Sequence, residues 1–394
     1  MNKVVGLLVA SIAVNYLDRG VLSVSMPSIR GELGLSPEQA GMLLSAFFWS
    51  YSMFQIVAGW AVDRYDVKPL FAGGYTLWSI AVAAAGFVTR LDALIGTRVL
   101  LGLGESIAYP AVSRIIAGNL PEERRGLANA LVDAGSKIGP ALSTLLGGLL
   151  VSAFGWRAVF IGVGLVSLLW LIPWFAWMPP QPPVRDPKQK DTPSFAWLLR
   201  RRKVWNTALG MFCLGYGWYF LLTWMPSYLV NERKFSVKTM AVAGSVPFWV
   251  LAASAVSFGY LSDRLIRGGA SATAVRKGLV SGGLTLCGIG LLFVVRVADA
   301  NQAVAMLTAS CFFLGMFTSN CWAMTQTLAG PAAAGKWTGI QNCVGNLGGV
   351  VSPWLTGRIV ERTGEFANAF YTAGFMMIVG AVCFATLGEL KEER

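Results

Sequence analysis

The sequence contains no histidine and few charges: Asp, Glu, Lys and Arg together make up 13% of its 394 residues. A soluble domain carries roughly 25%. Without histidine there is no Ser-His or Cys-His catalysis and no His-bearing zinc site. The six cysteines, Cys213, Cys287, Cys311, Cys321, Cys343 and Cys383, show no C-x-x-C spacing and sit inside apolar runs, so they read as small packing residues. No nucleophile–base pair and no metal-ligand spacing appears, so neither an enzyme nor a cofactor is expected. What the chain does have is apolar surface, with 55% hydrophobic residues, 45 glycines and 15 tryptophans. That balance excludes a soluble globular enzyme, a disordered protein and a nucleic-acid module. It describes an integral membrane protein.

A membrane helix needs about 20 mostly apolar residues to cross a hydrocarbon core of about 30 Å. Such runs fall near 3–26, 38–62, 69–89, 92–117, 126–152, 157–178, 204–230, 239–262, 277–296, 302–329, 337–360 and 367–388. The alternating pattern of a membrane barrel is absent, so the expected fold is all-α with twelve transmembrane helices. The first run is not a signal peptide, because Asp18-Arg19 interrupts it and no small-residue cleavage site follows. Placing both termini in the cytoplasm puts about 20 of the 32 Lys+Arg on that side, as the positive-inside rule requires. The net charge of +12 is then an orientation signal and implies no nucleic-acid partner.

The longest connection, 179–203, divides the spans into halves at 1–178 and 204–394. It opens Pro179-Pro180-Gln181-Pro182-Pro183 and ends in an apolar and cationic segment, Phe195 to Lys203. That segment reads as an interfacial helix on an anionic leaflet or as an ordinary positive-inside linker. An internal repeat supports the division, since Gly59-x-x-x-Asp63-Arg64 and Gly259-x-x-x-Asp263-Arg264 each close the second span of a half.

These motifs make the sequence resemble the major facilitator superfamily over its whole length. Gly59-x-x-x-Asp63-Arg64-x-Asp66-x-Lys68 is similar to its loop motif, with Asp66 where a glycine is usual, and Arg98 followed by Gly102-x-Gly104-Glu105 is similar to its fourth-helix motif. Three further segments resemble the anion:cation symporter family of bacterial sugar-acid symporters, sialin and the vesicular glutamate transporters. They are Asn15-Tyr16-Leu-Asp18-Arg19, Leu43-Leu-Ser45-Ala-Phe-Phe-Trp49-Ser-Tyr51 and Thr223-Trp224-Met-Pro226-Ser-Tyr228. The resemblance implies two pseudo-symmetric six-helix bundles rocking about a midplane site.

Each charge at mid-span costs about 2.5–3.5 kcal/mol, so an intramembrane charge is a functional candidate by default. Asp18, Arg19, Arg98, Glu105 and Lys137 all fall in the first half. The second half offers Ser319, Asn320, Trp322, Gln326, Gln341, Asn342 and Asn346 instead. Arg19 and Arg98 each lie about seven residues from the outer end of their spans, or about 10 Å deep. Glu105 is two turns further in, on the face of Arg98. A guanidinium fork matches a carboxylate bidentately, so Arg19 and Arg98 are expected to hold a substrate anion above Glu105, with Asp18 pairing Arg98 when the site is empty. The bland alternative is a buried salt-bridge network joining the first and fourth helices.

The resemblance implies that Asp18 and Glu105 are the proton-linked carboxyls and that Arg19 and Arg98 bind substrate. It adds Tyr16, Tyr51, Ser319, Trp322 and Asn342 as substrate contacts. Asn346 reads either as a further contact or as a helix–helix hydrogen-bond residue. Lys137 departs from the neutral residue common in sugar-acid members, and reads either as an anchor for a second acidic group or as the partner of Asp133 four residues earlier. Asp63, Arg64, Asp263 and Arg264 are expected to gate the inner ends of the halves. The expected work is proton-coupled uptake of a small organic anion, with the proton as coupling ion, by a monomer in the bilayer of a bacterial inner membrane, which the short tails suit. Gly135-x-x-x-Gly139-Pro140 is also similar to the fifth-helix motif of drug:proton antiporters, so a drug or metabolite exporter is the alternative. A non-transporting receptor is disfavoured by the same short tails.

Overall fold

The computed structural model describes residues 2–120, 122–180 and 194–391. The side chains of a few helical residues, Asp63 and Ser319 among them, also lie outside the described set, as does the Pro-rich start of the long connection beyond Pro180. Every element among the described residues is helical. In chain order they are α1 (Asn2–Leu33), α2 (Pro37–Arg64), α3 (Val67–Ala85), α4 (Leu91–Glu105), α5 (Ala108–Asn119) and α6 (Glu122–Leu142). A π-helical turn, Ser143–Gly147, leads into α7 (Gly148–Leu168) and α8 (Leu171–Trp177). Then follow α9 (Phe195–Leu199), α10 (Arg202–Asn231), α11 (Val237–Arg267), α12 (Ala272–Val294), α13 (Ala300–Thr363) and α14 (Ala367–Ala385).

These elements make twelve passes, because backbone chemistry breaks some helices and fuses others. Gly155 (φ 78°, ψ 160°) and Gly330 (φ 64°, ψ 173°) occupy a region open essentially to glycine alone, and each turns one pass into the next within a single residue. Sequence hydropathy places short loops there, and the structure replaces them with corners. The opposite case is α4 and α5, which form one pass. Its ladder slackens at Ser106-Ile107, where Pro110 has no N–H for the Ser106 carbonyl four residues back. Glu105 is the last residue before that weakened turn. Pro140 precedes the π-helical turn in the same way.

Two termini explain departures in the sequence. Ser36 caps α2 in a reciprocal capping box: its Oγ accepts from Gln39 N (3.3 Å), and its own N–H donates to Gln39 Oε1 (2.9 Å). Asp66, where the motif usually has glycine, caps α3 by accepting from Lys68 N at 2.8 Å.

The chain divides into two compact units, Met1–Arg185 with Leu222–Ser245, and Asp186–Leu221 with Val246–Arg394. In the first, α1 and α6 run parallel in close contact. A Cβ on Gly139 would lie 2.5 Å from Tyr16 Cβ, one on Gly135 would lie 3.0 Å from the Val9 carbonyl oxygen, and one on Gly20 would strike Ser143. The same unit seats α4 on α2 and α3. Gly102 backs onto the Phe47 carbonyl (2.2 Å from an added Cβ), and Gly104 onto Gly74 and Trp78 (2.8 Å each). At one end Glu32 clamps the part of α7 that begins after the Gly155 corner, accepting from Trp156 Nε1 (2.6 Å) and from Arg157 Nε (3.0 Å) and Nη2 (2.8 Å), while Arg157 Nη1 donates to the Val88 carbonyl (2.6 Å).

The second unit uses the same small-residue packing. Gly215 backs onto the Gly345 carbonyl (2.2 Å from an added Cβ), and Gly288 onto that of Gly374 (2.6 Å). Its short helix α9 is capped by Ser194, carries the Arg201 guanidinium over the Trp197 ring at 4.2 Å, and exposes Phe195 and Leu199.

Candidate functional site

Four of the five intramembrane charges converge in the first unit. Asp18 and Glu105 are fully buried, Arg98 is 1% exposed and Arg19 8%. Arg19 Nε donates to Glu105 Oε2 at 2.8 Å. Its guanidinium carbon also lies 4.8 Å from the Tyr16 ring centre, 4.4 Å from Phe47 and 4.5 Å from Tyr51. Three aromatic faces around a desolvated cation hold it by the ring quadrupole and keep water away. Phe47 and Tyr51 stack at 4.9 Å, so the cage is itself packed.

The glycine pattern makes this approach possible. Gly102 and Gly104 draw α4 against α2 and α3, and Glu105 follows directly. Gly139 lets α6 press on the back of Tyr16 and fixes one cage wall. The sequence associates Gly135-x-x-x-Gly139 with exporters as well as with packing; here both glycines are spent on helix contact with α1.

Arg98 lies 5.3 Å from the Phe160 ring, and its Nη2 finds no hydrogen-bond partner within the protein. The same is true of both carboxylate oxygens of Asp18 and of Glu105 Oε1. Asp18 lies within electrostatic reach of Arg98, Arg19 and Glu105. The sequence leads one to expect Asp18 paired with Arg98. The pair that forms is Arg19 with Glu105, because Arg19 projects from α1 toward the Glu105 end of α4. A small cavity of about 20 Å³ opens beside the two arginines, lined by Arg19, Ser23, Phe47, Arg98, Leu101 and Thr223. Its size is that of about one water molecule.

Tyr109 is a member of the site that residue spacing did not single out. Its hydroxyl donates to that of Tyr16 at 3.4 Å. It lies four residues after Glu105 on the continuing helical face, and that interval is the signal that finds it. Tyr75, fully buried and stacked on Trp170 at 4.3 Å, stands within electrostatic reach of Asp18. Lys137 bonds the Asp133 carboxylate and lies 3.2 Å from Ser136 Oγ.

The remaining substrate-contact candidates belong to the second unit. Trp322 and Asn342 are half-buried, and Asn346 accepts from the Tyr219 hydroxyl at 2.9 Å, so its amide joins two helices. Gln341, fully buried, accepts from Thr325 Oγ1 (2.7 Å) and donates to Cys321 Sγ (3.4 Å). Among the gating candidates, Arg64 is exposed with its guanidinium 4.8 Å from the Trp60 ring, and Asp263 and Arg264 are exposed near the end of α11.

The model of the Major Facilitator Superfamily matches residues 8–275 and, in a second match, 207–394. The chain belongs to that superfamily. This facilitator is 30% identical to the hexuronate transporter of Bacillus subtilis over 96% of its own length and 91% of the relative's. It is 29% identical to a probable sulfoacetate transporter of Cupriavidus necator (97% and 92% covered) and 28% identical to the D-galactonate transporter of Escherichia coli (97% and 94% covered). The facilitator fold is shared with a bacterial homologue of the human lysosomal transporter Spinster in its inward-facing, occupied conformation, at a TM-score of 0.77 and 18% identity, covering 98% of this chain and 94% of that one.

Proposed function

We propose that this membrane transporter carries a small organic anion, a sugar acid or related carboxylate, into the cell together with protons. The observation that carries the reading is the buried Arg19–Glu105 pair inside its aromatic cage, with Arg98 and Asp18 beside it. Relatives named for hexuronate, galactonate, galactarate and sulfoacetate are all named for acids, which supports the anion class.

In this mechanism Glu105 holds Arg19 while the site is empty. A proton on Glu105 removes the negative charge that occupies Arg19, and the freed guanidinium takes a substrate carboxylate bidentately. A proton on Asp18 likewise strips Arg98 of its nearby negative charge. With both carboxyls neutral, two buried cations remain, and a desolvated cationic site favours an anion. Proton and substrate therefore load together. Tyr16 and Tyr51 orient the bound acid, and Trp322 and Asn342, with Ser319 as a further candidate, are further substrate contacts. Both termini lie in the cytoplasm of a bacterium whose inner membrane holds the protein as a monomer, and Asp63, Arg64, Asp263 and Arg264 steady the cytoplasmic ends during that exchange.

The test is proton movement into proteoliposomes on adding sugar acids, aromatic acids or dicarboxylates, with lipophilic cations as the contrast. Inward proton flux with one carboxylate class is expected. Flux driven only by a cation would replace the reading with that of an exporter.

A further inference from the structure

We propose, resting on the anion-transport reading above, that Lys137 is a second anion anchor and that the substrate carries an acidic group at each end of a short chain. In the structure Lys137 bonds the Asp133 carboxylate one turn back and approaches Ser136 Oγ. The lysine side chain is 13% exposed and that of Asp133 42%, so the pair is not sealed into the packing. This repeats the arrangement of Arg19 with Glu105. In both places a cation carries its own carboxylate as a counter-ion, and an incoming acid group can take the carboxylate's place.

The helix register sets the separation of the two cations. Along α1 and α6, Gly135 backs onto Val9, Gly139 onto Ala13 and Tyr16, and Ser143 onto Gly20, so the helices run parallel with Tyr16 level with Gly139. Arg19 is three residues beyond Tyr16, and Lys137 two residues short of Gly139. At 1.5 Å per residue, their backbones are offset by about 7.5 Å along the helix axes. Between them runs a polar wall. The Tyr16 ring lies against Arg19, its hydroxyl meets that of Tyr109 at 3.4 Å, and Tyr109 is within electrostatic reach of Asp133. Two cations with hydroxyls between them suit a short hydroxylated chain with an acid at each end. A monoacid would leave one cation on its internal carboxylate.

The experiment measures uptake by the full chain in proteoliposomes of two matched pairs of acids. Galactarate and D-galactonate share a sugar-acid chain and differ in having a carboxylate or an alcohol at the far end; sulfoacetate and acetate give the same contrast on a shorter chain. The diacid of a pair is expected to be preferred by about tenfold, the value of one charge-assisted contact. K137Q lowers that ratio about tenfold, K137R keeps it, and D133N raises diacid affinity because Lys137 loses its competing carboxylate. Opposite effects of K137Q and D133N are not expected of a merely structural ion pair. Equal losses of diacid and monoacid uptake in K137Q, or a wild-type preference for the monoacid, would overturn the second anchor and leave anion transport standing. Uptake of none of the four acids would overturn the second anchor, and the absence of flux with every carboxylate class would overturn anion transport as well.

Discussion

Both units bury polar side chains, but only the first buries charged ones among the described residues. The first carries Asp18, Arg19, Arg98 and Glu105 in its interior, with one tight pair and several polar atoms without a hydrogen-bond partner. The second buries amides and hydroxyls that bond one another: Gln341 to Thr325 and Cys321, Asn346 to Tyr219, Trp337 Nε1 to Thr207 Oγ1 at 2.9 Å. Its buried atoms without a partner, such as the hydroxyls of Tyr216, Ser262 and Ser352, are neutral, so no charge there has to be compensated. A buried charge cluster has several low-energy arrangements, selected by where protons and anions sit, because each uncompensated charge in a poorly polarisable interior is expensive. Under the proposed mechanism, switching is therefore expected of the first unit's charges rather than of the second unit's neutral groups.

The largest expected effect that tests this contrast is on transport. R98Q should lower uptake by about 100-fold or more, as truncating one member of a buried charge constellation costs about 2–5 kcal/mol, while the protein still inserts and folds. Y219F in the second unit should cost less than tenfold. Comparable losses would erase the distinction between the units. E105Q sharpens the same point: accumulation driven by an imposed pH gradient should disappear, while substrate exchange by counterflow persists. Unchanged accumulation would remove Glu105 from the coupling.

Stability gives the next tier, read as thermal unfolding in detergent. R19Q leaves Glu105 buried without its partner and should cost about 3–5 kcal/mol, whereas the paired replacement R19M/E105L should recover most of that. If the double variant is no better than the single, the pair's role is packing alone. Smaller still is G102A, whose Cβ would lie 2.2 Å from the Phe47 carbonyl oxygen, for an expected loss of about 1–3 kcal/mol. G73A is its control: nothing lies within 4 Å of an added Cβ there, and the helix should gain about 0.5–1 kcal/mol. The smallest effect is the stability change of Y219F, about 1 kcal/mol for one hydrogen bond.

The twelve passes, the internal repeat and the charged residues worth asking about follow from the sequence alone. Hydropathy over a span and a charge inside it are local properties, and a membrane helix needs no distant partner to declare itself. The capping of α2 by Ser36 and of α3 by Asp66 is local in the same sense. What the tertiary structure decided is which charge holds which. Arg19 pairs with Glu105, and Asp18 does not close on Arg98, because the contacts at Gly102, Gly104 and Gly139 set how α4, α6 and α1 are rotated and how closely they approach. Spacing along one helix carries no record of that rotation. For the same reason Tyr109 meets Tyr16 and Asn346 is taken up by Tyr219, whereas the pair of Lys137 with Asp133, one turn apart on a single helix, is legible in the spacing. A glycine in the sequence states that a close approach is permitted. Which helix arrives there, and with which side chain, is fixed only when the helices pack.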